Sequence, residues 1–464
     1  MTRDMSAEEL RDRGRQVFNW IAEYLEDLRS LPVLPSVKPG DVRRMLPASA
    51  PDEGEPFDQI FADFEQILVP ATTHWNHPRF HAYFSVSSSA PGILAEALSA
   101  AINTNGMVWK ASPASTELEL LVADWLRQWL DLPEQFFGII HDTASSSTMH
   151  ALAAARQYAD PESRTRGLRG DLTVYTSEQA HSSVEKGAIA IGLGQDNVRK
   201  IGVDAAFQMR MDLLRQAIEA DVAAGKRPCC VIPTVGTTST TSIDNVQDAV
   251  DIAARHNIWV HVDAAYGGCA AVLPELRHIM NGSERAHSIV VNPHKWLFTP
   301  IDASLLYTSR PDVLRDAFSL VPEYLTTRDH TGTVNMMDYG VPLGRRFRAL
   351  KLWFVMRSLG RKNISDTIRD HLGYAQEMAR RLRADSRFEV CAPVPLSLVC
   401  FRLRGSDEQN QQLLDRINLS GDAFLSHTVL NGQYVLRLAY GNLRTLPEDI
   451  DIVWKRIQAE VETL

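Results

Sequence analysis

Apolar residues recur along this chain with two different periods, which predict where helices and strands lie. Between about residues 91 and 310, short apolar runs alternate with helical patterns, and this predicts a mostly parallel, doubly wound α/β domain. Near the start, residues 6–9 read as a capping box that opens an amphipathic helix. The apolar positions of that helix follow at helical spacing: Val17, Phe18, Ile21, Leu25 and Leu28.

The pattern changes again toward the end of the chain. Residues 363–384 read as a long helix, and residues 388–391, 396–403 and 434–438 read as strands. No crossover helix fits between the first two strands, so a small antiparallel sheet is expected. We therefore divide the chain into a helical N-terminal arm (1–85), a large α/β domain (86–360) and a small α+β domain (361–464).

Two apolar runs each end in an ionisable residue. Asp263 follows the alternating run 258–262, and Lys295 follows the continuous run 289–291. Taken singly, such an Asp is more often a helix cap and such a Lys more often reaches solvent. Together, at the strand ends where α/β folds bind ligands, they fit pyridoxal phosphate, which needs a lysine amine for its aldehyde and a carboxylate for its ring nitrogen.

Other strand ends offer a seat for the phosphate and a ring partner. A strand over 137–140 leads to the hydroxyl-rich residues 143–148, which open a helix and would present backbone N–H groups to a phosphate. Plain N-capping is the commoner role of such a run, which counts only beside Asp263 and Lys295. His181 follows the strand 172–175 and could stack on the cofactor.

Length and composition narrow the function classes. The chain has 464 residues, 45% hydrophobic and 23% charged, as in ordinary globular proteins of more than one domain. A net charge of -9 argues against nucleic acid as a partner. Neither the five cysteines nor the 14 histidines show metal-ligand spacing, so no metal is expected. No apolar run is long enough for a membrane span and no signal peptide is seen, so a cytoplasmic location is expected.

Several segments resemble the group II pyridoxal phosphate-dependent decarboxylases of the aromatic L-amino-acid decarboxylase family. They are residues 77–84, 111–119, 292–296 and 342–353, together with the strand ends described above. The segment Asn-Pro-His-Lys-Trp at 292–296 is highly specific to this family. The resemblance implies a fold type I enzyme, similar to aspartate aminotransferase, with a mostly parallel seven-stranded sheet. It also implies pyridoxal 5'-phosphate as cofactor, and a homodimer with shared active sites in which the N-terminal arm packs on the partner subunit.

The resemblance also assigns roles to single residues. Lys295 matches the Schiff-base lysine, Asp263 the partner of the pyridine nitrogen, His181 the stacking histidine and Tyr324 the loop tyrosine that supplies a proton. The remaining cofactor contacts are expected at Ala144, Ser145, Thr238, Ala265, Asn292, His294 and Gly344, where Thr238 orients the aspartate and Ala265 packs under the ring. Substrate contacts are expected at Trp75, Tyr83, Phe84, Val86, Asn105, Met107 and His181.

Three of the substrate positions depart from the animal enzymes. Val86 replaces a usual threonine, and Asn105 and Met107 replace a usual isoleucine and phenylalanine. Gly344 accompanies indole substrates in the plant branch of the family, so tryptophan is favoured over dopa, tyrosine, phenylalanine or 5-hydroxytryptophan. The expected reaction is decarboxylation of an aromatic L-amino acid to its amine.

Three alternatives remain at this stage. An aldehyde synthase on the same scaffold would carry Phe at the position of Tyr324. Another enzyme of the same cofactor fold, such as a transaminase, would lack the 292–296 signature. A catalytically inactive binding or scaffold protein would have no reason to keep Asp263, Lys295, His181 and Tyr324 together.

Overall fold

The computed structural model describes residues 4–320 and 333–464. Its large sheet has seven strands in the order β1-β7-β6-β5-β4-β2-β3, and its small sheet has four in the order β10-β11-β9-β8. The strands are β1 (Phe137–His141), β2 (Leu172–Ser177), β3 (Val198–Ile201), β4 (Arg227–Ile232), β5 (Trp259–Asp263), β6 (Ser288–Val291), β7 (Ser304–Thr308), β8 (Phe388–Val390), β9 (Leu398–Leu403), β10 (Ser426–Leu430) and β11 (Gln433–Ala439).

Helices pack against the strands of both sheets. They are α1 (Ala7–Asp27), α2 (Asp41–Met45), α3 (Phe57–Asp63), α4 (Ala90–Ile102), α5 (Pro113–Trp129), α6 (Ala144–Ala159), α7 (Ser163–Arg166), α8 (Ser183–Ala190), α9 (Met211–Ala223), α10 (Val246–Ala254), α11 (Pro293–Trp296), α12 (Pro311–Phe318), α13 (Arg348–Ala384), α14 (Asp407–Leu419) and α15 (Pro447–Glu462). Among the described residues, no helix is long and apolar enough to cross a membrane.

The large sheet confirms the predicted mostly parallel α/β fold. Strand β7 pairs antiparallel with both β1 and β6, and the other pairings are parallel. Strands β1, β2, β4, β5 and β6 therefore present their carboxyl ends at one edge. Every residue of β5 and β6 is buried, which explains their near-continuous apolar sequence.

The small sheet is antiparallel throughout, as predicted. The sequence predicted three of its strands and missed β10. Only the two ends of β10 are buried, and its exposed His427 and Val429 leave a weak apolar signal.

The N-terminal helix begins as its sequence predicts. The Glu9 N–H donates to Ser6 Oγ at 3.2 Å, and the Ser6 N–H donates to Glu9 Oε2 at 2.8 Å, which completes the capping box. No residue of α1 is buried. The division into three domains stays a prediction; at its second boundary α13 is interrupted by Gly360, whose φ is 67°.

Candidate active site

A cavity of about 160 Å³ opens at the edge where the parallel strands end. Segments that follow β1, β2, β4, β5 and β6 all contribute to its wall. Phe84, from the segment before α4, also lines it. The predicted residues that line it from the strand ends are Ala144, Ser145, His181, Thr238, Asp263, Ala265, Asn292, His294 and Lys295. The fold thus brings together side chains that are up to about two hundred positions apart in sequence, as expected for an α/β protein.

Asp263 is held firmly at the end of β5. Its backbone is bonded on both sides, to Pro233 O through its own N–H at 3.0 Å and to the Val235 N–H at 2.8 Å. The carboxylate accepts the Ala265 N–H at 3.2 Å and is only 5% exposed. A buried negative charge is therefore fixed in position, facing a cavity that can hold a positive partner.

Lys295 lies on α11, directly after β6. Its N–H donates to Asn292 O at 3.0 Å. Burial lowers the pKa of the Lys295 ammonium, while Asp263 and the Cys269 thiol act in the opposite direction. A lysine whose pKa is lowered has more of the neutral amine, which is the form that attacks a carbonyl carbon.

Stacked aromatic rings pack beside Lys295, whose Nζ lies 5.5 Å from the centre of the Phe84 ring, a feature that the sequence analysis missed. Tyr266 lies between Phe84, with ring centres 3.8 Å apart, and Trp296, at 4.7 Å. The Trp296 indole N–H donates to His371 Nδ1 at 2.9 Å. Because Trp296 directly follows Lys295, this stack and its hydrogen bond fix the helix that carries the amine.

His181 lines the cavity from the turn after β2. The Ser183 N–H donates to its Nδ1 at 3.1 Å, so the neutral ring carries its proton on Nε2. Burial lowers the pKa of His181, Asp263 raises it and Lys295 lowers it further. A neutral imidazole with a free Nε2–H can stack on a flat ring and donate one hydrogen bond.

A phosphate seat fits at the beginning of α6. This helix runs for 16 residues, and Ala144 and Ser145 in its first turn line the cavity. Its free N–H groups and dipole favour an anion there. Opposite, His294 accepts the Ala303 N–H on Nδ1 at 3.0 Å and meets the Asn292 amide through Nε2 at 3.3 Å. Burial lowers the pKa of His294 to about 3, so the ring is neutral.

Threonines after β4 add further polar groups. Thr238 lines the cavity, and its backbone O accepts from Arg437 Nη2 at 2.6 Å. Its predicted role in orienting Asp263 stays a prediction. Thr234, which sequence reasoning did not single out, also lines the cavity and pairs with Asp263 in a β-bridge. The sequence signal that could have identified Thr234 is its position just after the apolar strand β4.

The other predicted substrate residues do not line this cavity within the described parts of the chain. Trp75 and Tyr83 stack on each other with ring centres 5.8 Å apart, and both are exposed. Asn105 lies beside Gly344 and accepts the Arg345 N–H on Oδ1 at 2.9 Å. Val86 is partly buried, and the Met107 O accepts the Met337 N–H. Tyr324, the predicted proton donor, lies outside the described residues.

The residues present suit pyridoxal phosphate. Thr234 Oγ1 and Asn292 Oδ1 are buried without a hydrogen-bond partner among the described residues, although both residues line the cavity. Buried polar atoms normally have partners, so such atoms point to a polar ligand. A lysine amine, a fixed carboxylate and an anion seat around one cavity define an enzyme that uses pyridoxal phosphate.

Comparison with known proteins agrees with this class and narrows it. Residues 39–404 match the model of the pyridoxal-dependent decarboxylase conserved domain. The chain belongs to the pyridoxal-dependent decarboxylase family, which confirms the resemblance seen in its sequence.

Individual relatives match nearly the whole chain. The mouse aromatic-L-amino-acid decarboxylase is 41% identical over 471 aligned residues, covering 98% of this chain and 97% of the mouse protein. The structure of Oryza sativa TDC with PLP and tryptamine superimposes with a TM-score of 0.97 at 37% identity, and the match covers 100% of this chain and 99% of that chain. The structure of a Rhodiola rosea 4-hydroxyphenylacetaldehyde synthase gives a TM-score of 0.93 at 33% identity, covering 99% of both chains.

Proposed function

We propose that this chain removes the carboxylate of an aromatic L-amino acid as CO2 and releases the corresponding amine. The observation that carries the proposal is the placement of Lys295 and Asp263 in one cavity, beside an anion seat at the start of α6. The similarity to the mouse decarboxylase and to a plant structure with tryptamine supports an aromatic side chain.

The residues divide the work as follows. Pyridoxal phosphate, when bound, accepts the electron pair that the departing carboxylate leaves behind. Asp263 holds a negative charge opposite the site of a ring cation, and the Ala265 N–H keeps that carboxylate in place. The α6 N-terminus, with Ala144 and Ser145, neutralises the phosphate, and His181 covers the ring.

Proton delivery is assigned to Tyr324. Overall, a proton must replace CO2 on the α-carbon, and a positioned general acid speeds such a step by ~10²–10⁴. The family resemblance gives this role to the tyrosine at 324. His181, with its proton on Nε2, is the neighbouring donor within the described part of the chain.

An aldehyde synthase is the nearest alternative, supported by the similarity to the Rhodiola rosea enzyme. It would convert the amino acid, O2 and water into aldehyde, CO2, ammonia and hydrogen peroxide. We expect wild type to release amine in air, and Tyr324→Phe, which lacks only the phenolic proton donor, to shift products toward aldehyde and peroxide. If wild type already forms mostly peroxide, this chain is an aldehyde synthase.

Tryptophan is the first substrate to test, because Gly344 accompanies indole substrates in plant relatives. Amine and CO2 release should be compared for tryptophan, 5-hydroxytryptophan, dopa, tyrosine and phenylalanine, with histidine and glutamate as non-members of the class. Release from none of the aromatic amino acids, by protein that shows cofactor absorbance, would overturn the proposed function. Purified protein without cofactor absorbance would favour an inactive scaffold.

A homodimer with shared active sites is part of the proposal. An apolar groove between α1 and α4 is open in the single chain, and large apolar residues remain exposed there, as at subunit interfaces. The exposed residues include Leu10, Phe18, Leu94, Leu98 and Ile102. A second copy could also bring Asn105, Met107 and Gly344 to the cavity, which they do not line in one chain.

Mixing two variant subunits that are each deficient in amine production tests whether the active sites are shared. A Lys295→Ala subunit and a Tyr324→Phe subunit should recover part of the amine production when they form heterodimers. Well-formed heterodimers without recovery would contradict a shared site, and a monomer in sedimentation analysis would contradict the dimer itself.

A cytoplasmic location completes the proposal. All five cysteines are free, and four of them are buried, as is common in a reducing compartment. Fractionation of cells that produce the protein should recover it with cytoplasmic markers.

A further inference from the structure

His150 is a buried histidine that the proposed reaction does not yet use. It lies in the second turn of α6, the helix whose first turn lines the cofactor cavity, and it is 1% exposed. Its ring stacks on that of His141, at the end of β1, with ring centres 4.2 Å apart and planes 19° apart. His150 therefore lies on the same helix as the anion seat, one turn further along.

Both nitrogens of His150 are engaged, and this fixes its protonation state. Nδ1 lies 2.6 Å from Ser146 O, an acceptor, so Nδ1 carries the proton. Nε2 is then free to accept, and the Val341 N–H donates to it at 3.0 Å. Only the neutral ring with this tautomer can make both bonds, since a protonated ring would turn two donors toward each other at Val341.

Two chain segments meet at this ring. Phe318, at the end of α12, packs on it with ring centres 4.9 Å apart. Gly340 approaches it so closely that a Cβ at this position would lie 2.7 Å from His150 Nε2 and 3.2 Å from His141 Cε1. Phe318 precedes and Gly340 follows, in sequence, the residues 321–332 that contain Tyr324.

We infer that His150 is a positioning residue for the decarboxylation: it holds Phe318 and the Gly340–Val341 segment against the helix that seats the cofactor. This inference rests on the proposed function, which assigns proton delivery to Tyr324, because the two segments that His150 holds flank that residue in the sequence. The bond to Val341 requires an unprotonated Nε2, so the hold is present at neutral pH and is released by acid.

The charges around the ring agree with this sign. Burial lowers the pKa of His150; the Ser146 carbonyl and Asp142 raise it, and Arg345 lowers it. His141, which stacks on it, has a pKa held well below its usual value by burial, by His150 and by Arg345 and Arg348. Arg345 itself is paired with Glu119 at 2.5 Å, and α12 contributes the uncharged Phe318. The His150 imidazole is therefore harder to protonate than a free histidine, in agreement with the unprotonated Nε2 that the bond to Val341 requires.

Hydrogen exchange in the holoenzyme tests the hold without relying on turnover. In His150→Val, we expect the amide of Val341 to exchange ~2–10-fold faster, the equivalent of one lost neutral hydrogen bond. His150→Gln, whose Oε1 can accept from Val341, should restore slow exchange. Equal exchange in wild type and His150→Val would overturn the inference even if the proposed function holds.

Product analysis supplies the second measurement. In His150→Val, kcat should fall with little change in KM, and the share of peroxide among the products should rise in air, whereas His150→Gln should resemble wild type. The decrease in kcat that wild type shows at acid pH should be smaller in His150→Gln. Both variants retain His181. If wild type makes no amine, the proposed function fails; if it does and His150→Val matches it in products and profile, the positioning role fails alone.

A reciprocal variant separates positioning from folding. Gly340→Ala would place its methyl group against Nε2, and Gly340 has an extended backbone that alanine can adopt, so the contact is the cause of any effect. Gly340→Ala should show the exchange and product changes of His150→Val, and the double variant His150→Ala/Gly340→Ala should do no worse than His150→Ala. Independent, additive effects would overturn the inference.

Discussion

Lys295 and Asp263 stand at the ends of two neighbouring buried strands, whereas Asn105, Met107 and Gly344 lie between the regular elements. The first pair is surrounded by buried rings and backbone hydrogen bonds. Asn105 and Gly344, in contrast, are exposed in the single chain. The fold alone therefore fixes the reactive centre, while the region expected to choose the substrate depends on contacts between loops and, in the proposed dimer, on the second copy.

The largest effect that separates the two regions is expected at Lys295. We expect Lys295→Ala to lower turnover by at least ~10⁴-fold, because one member of a covalent catalytic unit is lost. The fold should persist, because Lys295 is only partly buried and lines a cavity rather than filling the packed core. Turnover and borohydride-reducible cofactor absorbance are the measurements. Lys362→Ala, which removes an exposed lysine of α13, is the matched control and should leave both unchanged.

Cofactor affinity should respond next, at Asp263. Removing one partner of a buried charge pair costs roughly 3–5 kcal/mol, so Asp263→Ala should weaken pyridoxal phosphate binding by ~10²–10⁴-fold. Asp263→Asn keeps an acceptor for the Ala265 N–H and loses only the charge. Titration of the apoprotein with cofactor measures both. Unchanged affinity in Asp263→Ala would show that the carboxylate does not face the ring.

Much of the reactive centre was predictable because its signal is local. Each of Asp263, Lys295 and His181 follows its own apolar strand, so a reader of the sequence meets them one at a time at recognisable places. Strand direction carries no such mark: β7 runs antiparallel, and the sequence did not single it out. The edge strand β3 was also missed, because only its last residue is fully buried.

Contacts between distant segments were not predictable at all. The stack of Phe84, Tyr266 and Trp296 joins three separate parts of the chain, and His371 reaches it from α13. Each ring alone reads as an ordinary core residue. The family resemblance supplied the substrate positions, and of these the described chain places Phe84 and His181 in the cavity wall but not the others.

Acid should destabilise the reactive centre through its buried histidines. The pKa of His294 is lowered to about 3 and that of His261 to about 4, mainly by burial, below the 6.5 of a free histidine. Both contribute stability above pH 6.5 that is lost as pH falls toward these values, at up to ~1.4 kcal/mol per pH unit for each.

Urea unfolding of the apoprotein at pH 7 and pH 5 measures this loss. His261→Gln should show a smaller difference between the two pH values than wild type. His256→Gln, which changes an exposed histidine, is the control and should match wild type. An identical pH dependence in His261→Gln would show that this ring is not held neutral by the fold.

The smallest effect, a change in substrate preference, is expected at Asn105. Its Oδ1 is taken by the Arg345 N–H, while Nδ2 donates weakly to the Met107 sulfur at 3.7 Å, so a second N–H can serve a ring hydroxyl of the substrate. One neutral hydrogen bond contributes ~0.5–1.5 kcal/mol, so Asn105→Ile should lower the preference for 5-hydroxytryptophan over tryptophan, measured as the ratio of their kcat/KM values, by ~2–10-fold.

Asn105→Asp keeps the acceptor for Arg345 and removes the donor, and it should lower the same ratio of kcat/KM values. Cofactor affinity should stay unchanged in both variants, because Asn105 does not line the cofactor cavity. A constant ratio would remove Asn105 from the substrate pocket, and weakened cofactor binding would show that the two regions are not separable.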